Sequence, residues 1–450
     1  LIEDILSQTT ENSDNFKNDE LYPSSAQGWY VVCILTVVNI FSFVDRQVLS
    51  LLVEPIKRDL HLSDTQMSYL MGFTFALFYT VFGLPMGKLV DTKSRRGIIA
   101  IGFVFWSFMT AGCGLAKNFT QLMLMRIGIG VGEATLGPSA YSLISDYFPP
   151  NRLATAVSVF QMGIYLGTGV ALVLAATVIK FLSASETWPI PIVGTVFSWQ
   201  IVFFVIGLPG IFLSFLLFTF AEPKRRGRGK NQISFSETLK YLNRNKVTFL
   251  CLSFAFSMVS LIGAAGSAWN PTFLQRIHGW KSAEAGISLG LCVAVFGTIG
   301  VVTGGKITDY FVKRGIDEAG FWVGFTAAVL LIPATTAVFL AVNGTIAVGI
   351  FAITIFLISS PLGAGPAALQ RMLPNEMRGQ ASAIFLLLVN LIGFGVGPTF
   401  VAFFTDYIFR NENAINYSLL CVCLITLPIS AMLFWFGRKP YRKTLQALKP

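Results

Sequence analysis

The chain has 450 residues, of which 54% are hydrophobic and 12% charged, and its formal net charge is +10. Soluble domains carry about 25% charged residues, so this composition excludes an ordinary water-soluble globule. The basic excess lies in short loops between apolar runs, which excludes a nucleic-acid-binding surface and fits membrane topology instead.

Residues 1–28 are polar and rich in Asp, Glu, Asn and Ser, and are expected to form a flexible cytoplasmic tail. A helix needs about 20 apolar residues to cross the hydrocarbon layer. Twelve such runs follow, at about 29–53, 66–89, 97–116, 119–143, 153–181, 199–220, 247–270, 284–308, 321–341, 345–370, 379–404 and 415–437. They divide into a six-helix bundle over 29–221, a basic linker over 222–246 and a second bundle over 247–437, with a basic tail at 438–450. The expected fold class is an all-α membrane protein of twelve transmembrane helices in two pseudo-symmetric six-helix bundles. With both termini placed in the cytoplasm, 24 of the 33 Lys and Arg residues fall on that side and 7 on the other; Arg46 and Arg126 lie within spans. That bias sets the orientation and predicts a multi-pass protein of the cell (inner) membrane. The densest cluster, Lys224 to Lys230, marks the middle of the chain and reads as a topology determinant.

The six cysteines all lie in apolar runs, without metal-type spacing, and read as packing residues. Only His61 and His278 supply imidazole. No metal site, cofactor or catalytic triad is expected, and no phosphate loop or metalloprotease motif appears, so an enzyme is not expected.

The halves echo each other. Glu54-Pro55 followed by His61 matches Asn270-Pro271 followed by His278. Gly87-Lys88-Leu89-Val90-Asp91 matches Gly305-Lys306-Ile307-Thr308-Asp309, and Arg152-Leu-Ala-Thr-Ala matches Arg378-Gly-Gln-Ala-Ser. A duplicated six-helix unit is the mark of a rocking transporter with its site between the halves.

Four ionisable side chains fall deep in the first half: Asp45, Arg46, Arg126 and Glu133. Each costs at least ~2.5–3.5 kcal/mol to place in a membrane, so each is a functional candidate. Asp45 and Arg46 are adjacent and point about 100° apart, so their partners must come from another helix. Similar depth lets Asp45 pair with Arg126, and the long reach of Arg46 lets it pair with the deeper Glu133, which predicts two alternating pairs on a cavity wall. Asp45 is the first choice for proton acceptor and Glu133 the second. Arg46 and Arg126, with Glu133, are the candidate substrate contacts, since a guanidinium suits an anionic headgroup. The second half has almost no mid-membrane charge; Leu261 and Ile262 stand where Asp45 would be. Gly128, Gly130, Gly132, Gly163 and Gly167 are expected to permit close helix approach.

Gly87-x-Leu89-x-Asp91 followed by Ser94-Arg95-Arg96, and Arg126-x-x-x-Gly130-x-Gly132, resemble two motifs of the major facilitator superfamily. Within it, Phe43-Val44-Asp45-Arg46, Gly130-Val131-Gly132-Glu133-Ala134 and Pro149-x-Asn151-Arg152 resemble the Spinster family, with the short loops of a bacterial homologue. The resemblance implies the major facilitator fold, alternating access, and proton-linked movement of lysolipids or sphingolipids. It also implies a charged cytoplasmic gate made of Gly87, Asp91, Arg95, Arg96 and Arg152, with Asp309, Lys313 and Arg378 opposite. One departure is Gly163-x-x-x-Gly167-x-Gly169, where the antiporter pattern has Gly-Pro; it leaves antiport and symport both open. The expected partners are a small amphipathic or anionic substrate, protons and membrane lipids, with a monomer as the working unit. A proton-coupled organic-anion or drug carrier, or a lipid scramblase, is the alternative.

Overall fold

The computed structural model describes residues 22–182, 185, 187–190, 194–223, 225, 234–374 and 377–448. Most of the polar tail, and the basic cluster apart from Arg225, lie outside the described residues. Among the described residues, eleven helical segments are long and apolar enough to cross a membrane. In chain order they are spans 1 to 3 (Ser25–Leu51, Asp64–Gly87 and Arg95–Cys113), spans 5 and 6 (Val159–Leu182 and Ser198–Thr219), and spans 7 to 12 (Lys246–His278, Ser282–Lys313, Ala319–Phe339, Gly344–Arg371, Gln380–Phe409 and Glu412–Gln446).

Span 4 is built differently. It consists of a helix over Phe119–Glu133 and a second over Leu136–Tyr147, with a turn at Ala134 and Thr135. Pro138 explains the break. A proline fits the first turn of a new helix but would clash with the carbonyl four residues back in a continuous one. The Thr135 hydroxyl takes the Gly132 carbonyl at 2.8 Å, which tightens the turn further.

Three other features depart from the sequence-based expectation. A two-stranded antiparallel hairpin, Thr187–Ile190 with Gly194–Phe197, joins spans 5 and 6. The linker carries a helix over Phe235–Arg244, capped by Ser234 and Glu237, whose Tyr241 hydroxyl donates to the Met372 carbonyl at 2.7 Å. The segment expected as a basic tail after residue 437 continues the last helix to Gln446. Its Tyr441 is buried and donates to the Ala368 carbonyl at 3.0 Å, while Arg442 pairs with Glu318. Apolar spacing at Tyr441 and Leu445 continues the buried face of span 12, so these residues dock rather than fray.

Glycines set the helix approaches. An added Cβ at Gly130 would lie 3.1 Å from the Phe75 carbonyl oxygen, and one at Gly132 3.0 Å from that of Gly102. Gly163 and Gly167 likewise lie against span 1, at Asn39 and Ile40. The tightest approach is between spans 8 and 10, where a Cβ at Gly304 would meet the Ser360 carbonyl oxygen at 1.8 Å. Gly304→Ala should therefore cost about 1–3 kcal/mol in forced helix separation. Thermal unfolding in detergent should show a lowered midpoint; an unchanged midpoint would mean the two spans part cheaply.

Buried packing is asymmetric along the membrane normal. One apolar cluster runs through both halves toward the face that carries loop 1–2, from Leu49 and Ile56 of the first half to Phe273 and Leu419 of the second. Toward the loop 2–3 face the second half closes a cluster of its own, around Phe256, Phe321 and Phe434. The halves are thus packed together at the loop 1–2 face.

Candidate functional site: a buried charge cluster and a closed ionic face

Asp45, Arg126 and Glu133 are 2%, 0% and 1% exposed, and only Arg46, at 19% of its side chain, keeps reachable surface. The glycines of span 4 let its backbone lie against spans 2 and 3, which carries Arg126 and Glu133 into the interior of the first half.

Arg46 and Glu133 form the expected pair. Arg46 Nε donates to Glu133 Oε2 at 2.6 Å, Nη2 lies 2.5 Å from the same oxygen, and Ser42 Oγ donates to it at 2.6 Å. The guanidinium is also ringed by Phe75, Tyr79 and Phe43, at 4.4, 5.0 and 4.8 Å from the ring centroids. Such faces attract a cation by about 0.5–2 kcal/mol each, depending on desolvation. Glu133 ends the first segment of span 4, where free carbonyls disfavour a carboxylate, and Arg46 offsets that field.

The second expected pair is not a salt bridge. Arg126 Nη1 donates to the backbone carbonyl of Asp45 at 3.0 Å, and Nε to the Leu70 carbonyl at 3.0 Å. Leu70 lies in a π-helical turn, Tyr69–Phe73, where the regular ladder is interrupted and a carbonyl can turn to a side chain. Arg126 Nη2, Asp45 Oδ1 and Glu133 Oε1 are buried with no hydrogen-bond partner. The four charges therefore form one cluster inside the first half, and Arg46 is the member that reaches out of it. The expected wall of two alternating pairs is reduced to one pair.

Among the described residues, no ion pair joins the expected gate residues across the halves. Arg95 is buried within its own half: it pairs with Asp146, donates to Ser142 and holds Glu222 Oε1 at 2.9 Å. Arg96 donates to the Phe220 carbonyl at 2.6 Å. Glu222 is pushed up by partial burial, but hydrogen bonds from Ser94 and Arg95 outweigh this and hold it below the usual carboxylate range. Gly87 has open space where a Cβ would stand, and Arg152 and Asp309 are exposed. Arg378 is exposed and donates to the Gln370 carbonyl. The side chain of Asp91 lies outside the described residues.

Among the described residues, every ion pair between the halves lies at the opposite, loop 1–2 face. Arg276, at the end of span 7, holds Asp64 through Nη1 at 2.6 Å and Nη2 at 2.8 Å, and Glu54 through Nε at 2.7 Å. Lys57 pairs with Asp64 and reaches Glu412 at 2.8 Å. Asp406 accepts from the Thr65 amide at 2.7 Å and hydroxyl at 2.6 Å. Asp64 and Arg276 are buried. Sequence reasoning passed over this network because it read Lys57 and Arg276 only as topology charges. The usable signal was Glu54 and Asp64 flanking the repeated proline-histidine element.

Residues 35–398 match the family model of the Major Facilitator Superfamily. An MFS-type efflux pump of Mycolicibacterium smegmatis is 26% identical over 422 residues, covering 93% of this chain and 94% of that protein. The hexuronate transporter of Bacillus subtilis is 25% identical over 395 residues, covering 84% and 87%. A crystal structure of a bacterial homologue of the human lysosomal transporter Spinster, inward-facing and unoccupied, superposes with a TM-score of 0.81 at 27% identity, covering 94% of this chain and 99% of that one. With its duplicated helical bundles, its internal charge cluster and this match over most of its length, the chain belongs to the Major Facilitator Superfamily of secondary transporters.

Proposed function

We propose that this transporter moves an amphipathic substrate with an anionic or zwitterionic head, coupled to protons, by alternating access. The observation that carries the reading is the Arg46–Glu133 pair, the one place where the buried cluster meets reachable surface. A proton delivered to Glu133, with Asp45 as the first acceptor beside it, weakens its hold on Arg46. The guanidinium then turns to a substrate anion, for which its planar fork is suited. Arg126 holds the cluster together from behind through the Asp45 and Leu70 carbonyls. The second half, almost without mid-membrane charge, suits a lysolipid or sphingolipid tail.

The bias of basic residues supports a cytoplasmic loop 2–3 face, with both termini on that side, in the inner membrane of a bacterium. On that orientation the ionic network closes the outer face, and Asp91, Arg95, Arg96, Arg152, Asp309 and Arg378 would meet only when the transporter turns outward. A second reading, a carrier of compact organic anions, draws support from the hexuronate transporter relative.

Purified protein in proteoliposomes tests both. An imposed proton gradient should drive uptake of lysophosphatidylcholine, and lengthening its acyl chain should tighten binding by up to about 0.8 kcal/mol per methylene. Uptake of glucuronate with no lysolipid movement would overturn the amphiphile and keep the anion. Lipid movement in both directions, indifferent to the gradient, would replace transport by scrambling.

A further inference from the structure

Pro271 lies inside the helix Lys246–His278 and has no N–H, so the Ser267 carbonyl four residues earlier lacks its helical donor. A part-buried carbonyl without its helical donor is stabilised by finding another partner. It finds one in the other half of the molecule. Gln47 Nε2, on span 1, donates to the Ser267 carbonyl at 2.7 Å, and Ser267 Oγ donates back to Gln47 Oε1 at 2.6 Å. Gln47 is buried, and Ser50 Oγ accepts from Nε2 at 2.8 Å, so the amide is fixed in this orientation. The contact is reciprocal, crosses 220 positions of sequence and follows directly on Asp45 and Arg46.

We propose that Gln47 is a positioning residue that transmits the state of the charge cluster on span 1 to the second half, through the backbone carbonyl that Pro271 leaves open. The proposal rests on the proton-coupled reading above. Side chains on one helix turn together, so any rotation of span 1 that swings Arg46 away from Glu133 also withdraws Gln47. Withdrawal leaves the Ser267 carbonyl and the Gln47 amide unpaired, which weakens the closed loop 1–2 face. The titratable and charged groups facing the cluster are Glu133 and Arg126 of span 4, Cys113 of span 3, Tyr79 of span 2, and Arg46 itself. Span 7 brings the Ser267 hydroxyl and carbonyl to Gln47.

The test is hydrogen–deuterium exchange of the full chain in lipid nanodiscs, followed in the peptide over 270–284 at acidic and alkaline pH and corrected for intrinsic rates. Wild type should show an opening that changes with pH. Gln47→Leu removes the donor, and Pro271→Ala returns an N–H to the Ser267 carbonyl and displaces Gln47 from it. Both should raise exchange about fivefold in the closed condition, the worth of one net hydrogen bond, and flatten the response to pH. Ser267→Ala keeps the bond to the carbonyl and should show a smaller rise. Wild-type exchange and pH response in both Gln47→Leu and Pro271→Ala would overturn the proposal, as would a change in Gln47→Leu alone. A wild type that does not respond to pH would overturn the proton-coupled reading, and this proposal with it.

Discussion

Glu133→Gln should abolish proton-driven uptake in proteoliposomes, while Asp45→Asn should retain uptake down a substrate gradient and lose its dependence on pH. The two carboxylates sit in one buried cluster but hold different partners. Glu133 Oε2 receives Arg46 through two nitrogens and Ser42 through its hydroxyl. Glutamine keeps the shape and removes the charge, leaving Arg46 three-quarters or more enclosed without its paired carboxylate. Breaking one side of a buried pair costs about 3–5 kcal/mol, so Glu133→Gln should lower thermal stability and transport together. Asp45 has a buried oxygen with no partner, and its backbone carbonyl, not its carboxylate, receives Arg126. Asparagine at 45 therefore removes a proton site without breaking an ion pair, and the melting temperature should stay close to wild type. Uptake measured across a pH series with matched melting curves separates the two effects. Wild-type pH dependence in Asp45→Asn would remove this residue from the proton pathway, and in both variants would end the coupling mechanism.

Arg276→Ala should open the loop 1–2 face. Arg276 is the one cation among the described residues that bridges Asp64 and Glu54 of the first half from the second. Its loss leaves Lys57 as the cation on Asp64, whose side chain is wholly buried. The closed state should lose about 3–5 kcal/mol, a shift of about two to three and a half powers of ten in population. Spin labels at the exposed positions Arg58 and Asn413, one on each half, should report a longer and broader distance distribution in the variant. Because the pair is buried, added salt should reproduce little of this change. A distribution identical to wild type would mean that the apolar packing around Leu49, Phe273 and Leu419, rather than the ion pairs, holds this face shut.

Ion pairs occur at both faces, but they join the halves at one and stay within a half at the other. At the loop 1–2 face, ion pairs, the Thr65–Asp406 contacts and a shared apolar cluster act together. At the loop 2–3 face, Arg95 spends its donors on Asp146, Ser142 and Glu222 within one half, which stiffens that bundle as a body. A rigid bundle and a closing face that can unpair are what a rocking motion needs.

The amino-acid sequence alone carried the spans, their grouping into two halves, the asymmetry of basic residues and the four charges inside the spans. Those are properties of windows about 20 residues long, or of single residue types in an apolar setting, and hydrocarbon tolerates few exceptions to either. It also supplied the glycines of spans 4 and 5, whose close approaches the structure realises against spans 1, 2 and 3. Of the charge pairings, that of Arg46 with Glu133 was legible in the residues, and the others depended on the packed fold. Arg46 found Glu133, but Arg126 turned to two backbone carbonyls, because a π-helical turn in span 2 presents Leu70 and helix rotation presents the back of Asp45. Arg276 and Asp64 lie 212 positions apart, and the repeated proline-histidine element beside each does not by itself show that they touch. Pairing of that kind depends on the rotation and tilt of whole helices, which are set by how every neighbouring side chain packs and not by the residues that finally touch.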